Sequence, residues 1–117
     1  MLKIQELSSW HQQMIDKLLT ADFSGKIELA NQIFSASFEI ADENGSLFIN
    51  PTIDGEAPLV KTIPVEAFSE DIDGAEISVL LFTSFDRAKT LEILRIDGEP
   101  VQKLPPVEEF TVMVLGV

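Results

Sequence analysis

The stretch "DGAEISVLLF", residues 73–82, decides how the surrounding sequence is interpreted. It begins with a turn signal and continues into a strand, but its apolar residues do not keep to every second position, as they do in a half-buried strand. Apolar residues occur on both faces of the strand, at Ile77, Val79, Leu80, Leu81 and Phe82. Residues 77–84 are therefore predicted to form a strand that is covered on both sides.

A second strand with the same doubled pattern is predicted over residues 90–96, after a loop at residues 85–89. Leu91 and Ile93 fall on one face of this strand, and Leu94 falls on the other. Two neighbouring strands that are apolar on both faces are typical of the middle of a sheet. The second face then needs a cover, for which the candidates are the C-terminal segment, the connection at residues 51–68 and another copy of the protein.

The first face is predicted to be covered by two helices. Apolar residues recur every three or four positions from Leu7 to Leu19, which predicts a helix over residues 4–20. Ser24 is a suitable N-cap for a second helix over residues 25–33, and a strand at the same place is the alternative.

A hairpin is predicted around Asn44-Gly45, the favoured pair for a type I′ turn. A two-residue loop pairs Ile40 with Ile49 and gathers one set of side chains on the core face. That set is Phe38, Ile40, Leu47 and Ile49.

The remaining segments complete the predicted fold. Pro58 and Pro64 favour an edge strand or an irregular connection over residues 57–68. The apolar segment "EEFTVMVLGV", residues 108–117, either adds to the sheet or lies in a homo-oligomer interface, and we favour the first. The chain of 117 residues is predicted to be a single α+β domain, with two N-terminal helices packed on a mainly antiparallel sheet of about five strands.

Charge restricts the class of partner. The net charge is −12, and residues 36–79 carry ten acidic side chains against Lys61 alone. Such a field repels phosphates and anionic membrane surfaces, so we expect no nucleic-acid and no membrane partner. A basic protein is the complementary partner, whereas the alternative is that the acidic surface only promotes solubility.

The candidate partner-binding residues surround the turn at residues 70–76. They are Glu66, Glu70, Asp71, Asp73 and Glu76, which lie within eleven residues. At least several of them are expected to project into water together and not to pair internally. With Lys61 as the only local counter-charge, changing the acids at positions 70, 71 and 73 to amides is expected to leave the fold intact.

The sequence carries no recognisable catalytic motif. It has no cysteine, and its only histidine, His11, cannot form a multi-histidine metal site and is expected at the surface or its boundary. The acidic run at residues 70–74 lacks the glycine and glutamate spacing of a calcium loop, so it is predicted to be a turn. Glu92 is either a partly buried carboxylate or a partner of Lys103 or Arg87. We expect no metal and no cofactor.

The chain also lacks an apolar run of membrane-spanning length and the pattern of a secretory signal. A cytoplasmic location is therefore expected.

Four phrases resemble an uncharacterised bacterial family of small acidic proteins that carry "ADFPG", "NGSL" and "LEIYRxDGxPI" phrases in this order. They are "LLTADFSG", "DENGSL", "PVEAFSEDIDGAEISVLLF" and "LEILRIDGEPVQKLP", and together they cover residues 18–105. The chain departs from the pattern at Ser24, where proline is common, and at Phe85-Asp86, where a "DG" turn is usual. The resemblance implies a small α+β domain and no particular activity.

Two classes of function follow. The acidic block and the lack of a catalytic constellation favour a non-catalytic protein-binding domain, of an immunity or regulatory type, over an enzyme. The alternative is a small-molecule-binding domain or enzyme with a carboxylate-lined pocket between the helices and the sheet.

Overall fold

The computed structural model describes residues 1–116, so residue 117 of the predicted C-terminal segment lies outside the described residues. The helices are α1 (Ser9–Thr20) and α2 (Lys26–Phe34), and single 3-10 turns occur at Ile4–Glu6 and Val107–Glu109. The strands are β1 (Leu2–Lys3), β2 (Ser37–Ile40), β3 (Leu47–Asn50), β4 (Val65–Glu70), β5 (Glu76–Ser84), β6 (Arg87–Arg95) and β7 (Thr111–Val114).

All seven strands form one antiparallel sheet in the order β1-β2-β3-β6-β5-β4-β7. The α+β prediction is confirmed, but the sheet has seven strands and not about five, and a strand precedes the two helices. Sequence reasoning missed β1 because two residues carry no detectable alternation. The C-terminal segment adds to the sheet as β7, as favoured.

The two strands that are apolar on both faces, β5 and β6, occupy the centre of the sheet, as predicted. Ser84 pairs with Arg87, so the turn between them contains only Phe85 and Asp86. The predicted loop of residues 85–89 is therefore too long. A bulge lies where the pairing shifts between Phe82 and Thr83, and it leaves Lys89 without a directly opposed residue on β5.

Both helices begin later than predicted. Leu7 is extended, and Ser8 caps α1 by accepting a hydrogen bond from the His11 amide at 3.1 Å. At α2 the N-cap is Gly25 with φ +82°, without a side-chain cap, so the predicted cap Ser24 is wrong. A Cβ at Gly25 would lie 3.1 Å from the Pro58 carbonyl group, which favours glycine here.

The β2–β3 hairpin forms with a register different from the predicted one. Ile40 pairs with Leu47, and the Asp42 carbonyl accepts from the Gly45 amide, so a four-residue turn with Gly45 at φ +90° replaces the two-residue loop. A register shift of two residues leaves each side chain on its predicted face. Even so, Ile40 is 55% exposed and does not join the core, because it ends the strand.

The core lies between the helices and one face of the sheet. Its largest fully buried side chains include Met14, Leu18, Leu29, Ile33, Phe38, Leu47, Ile77, Leu81, Leu91 and Ile93. The connection at residues 51–64 runs along the end of this layer, where the Ala57 amide donates to the Asp86 carbonyl. Within residues 1–116, the side chains on the second face of β5 and β6 are partly buried or exposed, so neither this connection nor the described part of the C-terminal segment covers that face.

Among residues 1–116, no helix combines the length and the apolar character needed to cross a bilayer.

Candidate functional site

The uncovered face of the sheet, here called the open face, is the feature that stands out. Because side chains alternate along each strand, the residues between the buried positions of β2–β7 all point to this side. The open face consists of Glu39, Phe48, Glu66, Phe68, Glu70, Glu76, Ser78, Leu80, Phe82, Thr90, Glu92, Leu94, Thr111 and Met113.

The register arranges this surface in rows across the strands. Leu80 of β5 lies directly between Glu66 of β4 and Glu92 of β6. Directly opposed residues on neighbouring strands have Cβ atoms about 4.5–5.5 Å apart. A half-buried leucine is therefore flanked on both sides by a carboxylate.

The rows at the two ends differ in character. At one end Phe48 and Phe82 both pair with Thr90, which makes an aromatic row. At the other end Glu70 of β4 pairs with Glu76 of β5, so two like charges stand opposite each other. The open face is thus aromatic at one end and acidic at the other.

The glutamates of the open face have no ionic partner in the part of the chain that the structure describes. All ion pairs among residues 1–116 belong to a single base, Arg95, and none involves a glutamate. The expected partners of Glu92 do not reach it either, since Arg87 donates to the carbonyls of Ile53 and Gly55. These carboxylates remain available to external cations.

Arg95 forms a buried cluster with three aspartates. It lies on the core face of β6, opposite to Glu92 as predicted, and its side chain is only 8% exposed. Its guanidinium donates to Asp71 at 3.1 Å, to Asp73 at 2.7 Å and to Asp97 at 2.8 Å. Three carboxylates around one buried guanidinium hold the turn after β4 against the end of β6.

This cluster corrects the expectation for two of the candidate residues. The Asp71 side chain is fully buried and also accepts hydrogen bonds from the amides of Gln102 and Lys103. Asp73 is partly exposed but is paired with Arg95. Asp71 and Asp73 thus pair internally and do not project freely into water, so we no longer expect amides at these two positions to leave the fold intact. A counter-charge distant in sequence was overlooked.

The pKa values of these aspartates are lowered. Burial acts to raise the pKa of Asp71, but hydrogen bonds from the amides of Gln102, Ile72 and Lys103 and from Arg95 outweigh it and bring the pKa to about 2. Hydrogen bonds from Arg95 and then from the Glu99 amide lower the pKa of Asp97 to about 2. The same cluster raises the pKa of Arg95 above its usual range, first through Asp97.

The other three candidates, Glu66, Glu70 and Glu76, lie together on the open face. Whether they bind a partner stays a prediction, but their placement on one surface is what that prediction requires. Glu39 and the apolar residues between the acids were not recognised as part of the surface. The signal for the apolar residues was present, since Leu80 and Phe82 give β5 a second apolar face, which the described part of the chain does not cover.

The region between the helices and the sheet is filled with apolar side chains. Its buried polar groups are satisfied: Gln32 accepts from the Ala88 amide at 2.8 Å, and among residues 1–116 every buried polar side-chain atom has a partner. His11 is buried, contrary to expectation, and its ring contacts Ser8 Oγ and the Gly45 carbonyl. These groups support packing and leave no free polar atom to meet a ligand.

A shallow depression of about 600 Å³ lies at the acidic end of the open face and is lined by Glu70, Glu76 and Glu109 among others. Within the described residues, no three histidine or carboxylate side chains are placed to hold a metal ion. The surface therefore offers negative charge without a coordination geometry.

Neither a scan against protein-family models nor searches of curated proteins and of solved structures finds a match. The resemblance to the bacterial family of small acidic proteins thus stays a prediction.

Proposed function

We propose that the protein is a non-catalytic binding module whose open face docks a basic, partly apolar segment of another protein, as an immunity-type or regulatory protein would. One observation carries the proposal: Leu80 lies between Glu66 and Glu92, and neither glutamate has an ionic partner among residues 1–116. Apolar area provides affinity when it is buried in a complex, and complementary charge provides orientation and a faster encounter.

The acidic end of the open face supports a role in binding. Glu70 and Glu76 are directly opposed on neighbouring strands. Like charges in that position destabilise a sheet. A basic partner would neutralise both carboxylates, so the arrangement is unfavourable for the isolated fold and favourable for a complex.

A second copy of the chain fits this surface less well than a basic protein does. If two open faces packed against each other, the glutamates of one copy would lie near those of the other. Like charges brought together at an interface cost roughly several kcal/mol. We therefore assign the open face to a different, basic protein, and a homo-oligomer becomes an outcome of the test.

The experiment selects random peptides of about a dozen residues, displayed on phage, against the folded protein. We expect the enriched peptides to combine lysine or arginine with apolar residues. Synthetic versions should bind the triple variant Glu66→Gln, Glu76→Gln, Glu92→Gln about tenfold more weakly, because three exposed ion pairs contribute roughly 0.2–1 kcal/mol each.

A matched control separates the open face from net charge. The variant Asp16→Asn, Asp22→Asn, Glu28→Gln also removes three negative charges, but from exposed positions in α1, in α2 and between them. It should bind the peptides as the wild type does. Equal losses in both triple variants, enrichment of acidic or purely apolar peptides, or a dimer in light scattering that Leu80→Asp dissociates would each overturn the proposal.

A further inference from the structure

Phe85 has a backbone conformation that bulky side chains seldom adopt. It forms the β5–β6 turn with Asp86, and both residues have positive φ, at +51° and +61°. Such a two-residue turn favours Asn-Gly, because glycine and asparagine tolerate positive φ. For a bulky residue this conformation is a true outlier and is maintained only by the surrounding structure.

The surrounding structure holds the turn firmly. The Asp86 carbonyl accepts hydrogen bonds from the Ala57 amide at 2.9 Å and from Gln32 Nε2 at 3.1 Å. These contacts fix the backbone but do not involve the Phe85 ring, which leaves the residue 90% exposed. An aromatic side chain at this position therefore adds strain and exposed apolar area without contributing to the core.

The Phe85 ring lies at the aromatic end of the open face. Together with Phe48 it lines a depression of about 410 Å³, whose other side chains include Glu39 and Lys89. Phe48 in turn belongs to the row that contains Phe82. The exposed ring thus extends the apolar part of the open face beyond the end of the strands.

We infer that Phe85 and Phe48 anchor an apolar side chain of the basic segment, an inference that rests on the proposed function. The order of rows along β5 then orients the partner. Phe82 and Glu76 are six residues apart on one strand, about 20 Å at the usual rise. The apolar anchor of the partner would lie at one end of this span, and its basic residues would extend over Glu66 and Glu92 toward Glu70 and Glu76.

The charges around the β5–β6 turn also favour a basic segment of the partner. The hydrogen bond from the Ala57 amide to the Asp86 carbonyl brings residues 54–56 beside the turn, and these include Asp54 and Glu56. Arg87 donates to the uncharged carbonyls of Ile53 and Gly55, so it keeps its positive charge beside that of Lys89. These two bases stand against four acids in and around the depression, Glu39, Asp54, Glu56 and Asp86. An apolar side chain with basic neighbours meets acidic groups on both sides of the anchor.

The experiment measures binding of the basic peptides selected above to Phe85→Asn. Asparagine tolerates positive φ, so this variant should unfold at a higher temperature than the wild type. It should nevertheless bind the peptides about thirty-fold more weakly, as expected when an aromatic anchor residue is removed. The control Ile27→Gln removes another highly exposed apolar side chain, 71% exposed, from α2 and should leave binding unchanged.

The two proposals fail in different ways. Peptides that depend on Glu66, Glu76 and Glu92 but bind Phe85→Asn like the wild type overturn the anchor and leave the proposed function standing. Binding lost equally in Phe85→Asn and Ile27→Gln also overturns the anchor. Failure to enrich any basic peptide overturns both proposals.

Discussion

Arg95 and Asp71 form the most deeply buried ion pair among residues 1–116, with Arg95 Nη1 at 3.1 Å from Asp71 Oδ2 and less than a tenth of either side chain exposed. Asp71 also accepts from the amides of Gln102 and Lys103. One carboxylate therefore joins the turn after β4, the end of β6 and the segment that leads to β7. The acidic turn therefore stabilises the fold by connecting these three segments.

Replacing Asp71 with asparagine should destabilise the fold. The substitution keeps the shape of the side chain but removes one of the carboxylate charges that neutralise the buried Arg95 guanidinium. Removing one partner of a buried pair is strongly destabilising. The urea midpoint of Asp71→Asn should fall clearly below that of the wild type. Asp54→Asn, which removes the same charge from an exposed position, is the control, and equal midpoints for the two variants would contradict this account.

Stability should decrease in acid because of the same cluster. The pKa values of Asp71 and Asp97 are lowered from 3.8 to about 2 in the folded protein. A carboxyl group whose pKa is lowered by folding stabilises the fold at any pH above its pKa in the unfolded chain. This contribution is lost as the pH falls through the pKa of the folded protein. Urea midpoints should therefore drop between pH 3.8 and about 2. In Asp97→Asn the drop should be shallower, and parallel curves would refute the assignment.

Adjacent leucines on β5 test which face is covered. Leu81 belongs to the core and is 2% exposed, whereas Leu80 lies on the open face. Leu81→Ala should cost about 2–5 kcal/mol of unfolding free energy, in the range of large-to-small core substitutions. Leu80→Ala should cost less than about 1 kcal/mol, because most substitutions away from a core have small effects. Similar losses in urea titrations would mean that a layer covers both faces.

The opposed glutamates at the acidic end should limit stability. Glu76→Lys converts the like-charged pair with Glu70 into an opposite-charged pair. A cross-strand pair of this kind contributes roughly 0.2–1 kcal/mol, so the unfolding free energy should rise by about that amount. The gain should shrink in high salt, since exposed charges are screened. Glu28→Lys, on α2, is the control for net charge, and the same gain there would remove the explanation.

The doubled pattern of β5 and β6 placed the centre of the sheet correctly, because a strand buried on one side and half-covered on the other needs apolar residues on both faces. Leu94 shows the limit of the pattern: it was expected to be substantially buried but is half-buried on the open face. The sequence identifies an apolar face without revealing whether any part of the chain covers it.

The Arg95 cluster was missed for a physical reason. A base at a core-facing position of β6, two residues after Ile93, requires buried carboxylates nearby. That requirement was visible in the alternation. Its partners come from residues 71, 73 and 97, and the pairing of β5 with β6 brings the first two to the third. Only the register of the sheet could identify them.

The order of strands in the sheet also bears on how the chain assembles. β4, β5 and β6 follow one another in sequence and pair as neighbours, whereas β3 reaches β6, and β7 reaches β4, across long intervening segments. Local pairings form faster than distant ones. A three-stranded intermediate with two apolar faces would be prone to aggregate before the helices pack on it. Glu66, Glu70, Glu76 and Glu92 lie on these strands, and we expect their charges to oppose aggregation of such an intermediate, as charged residues beside hydrophobic strands commonly do.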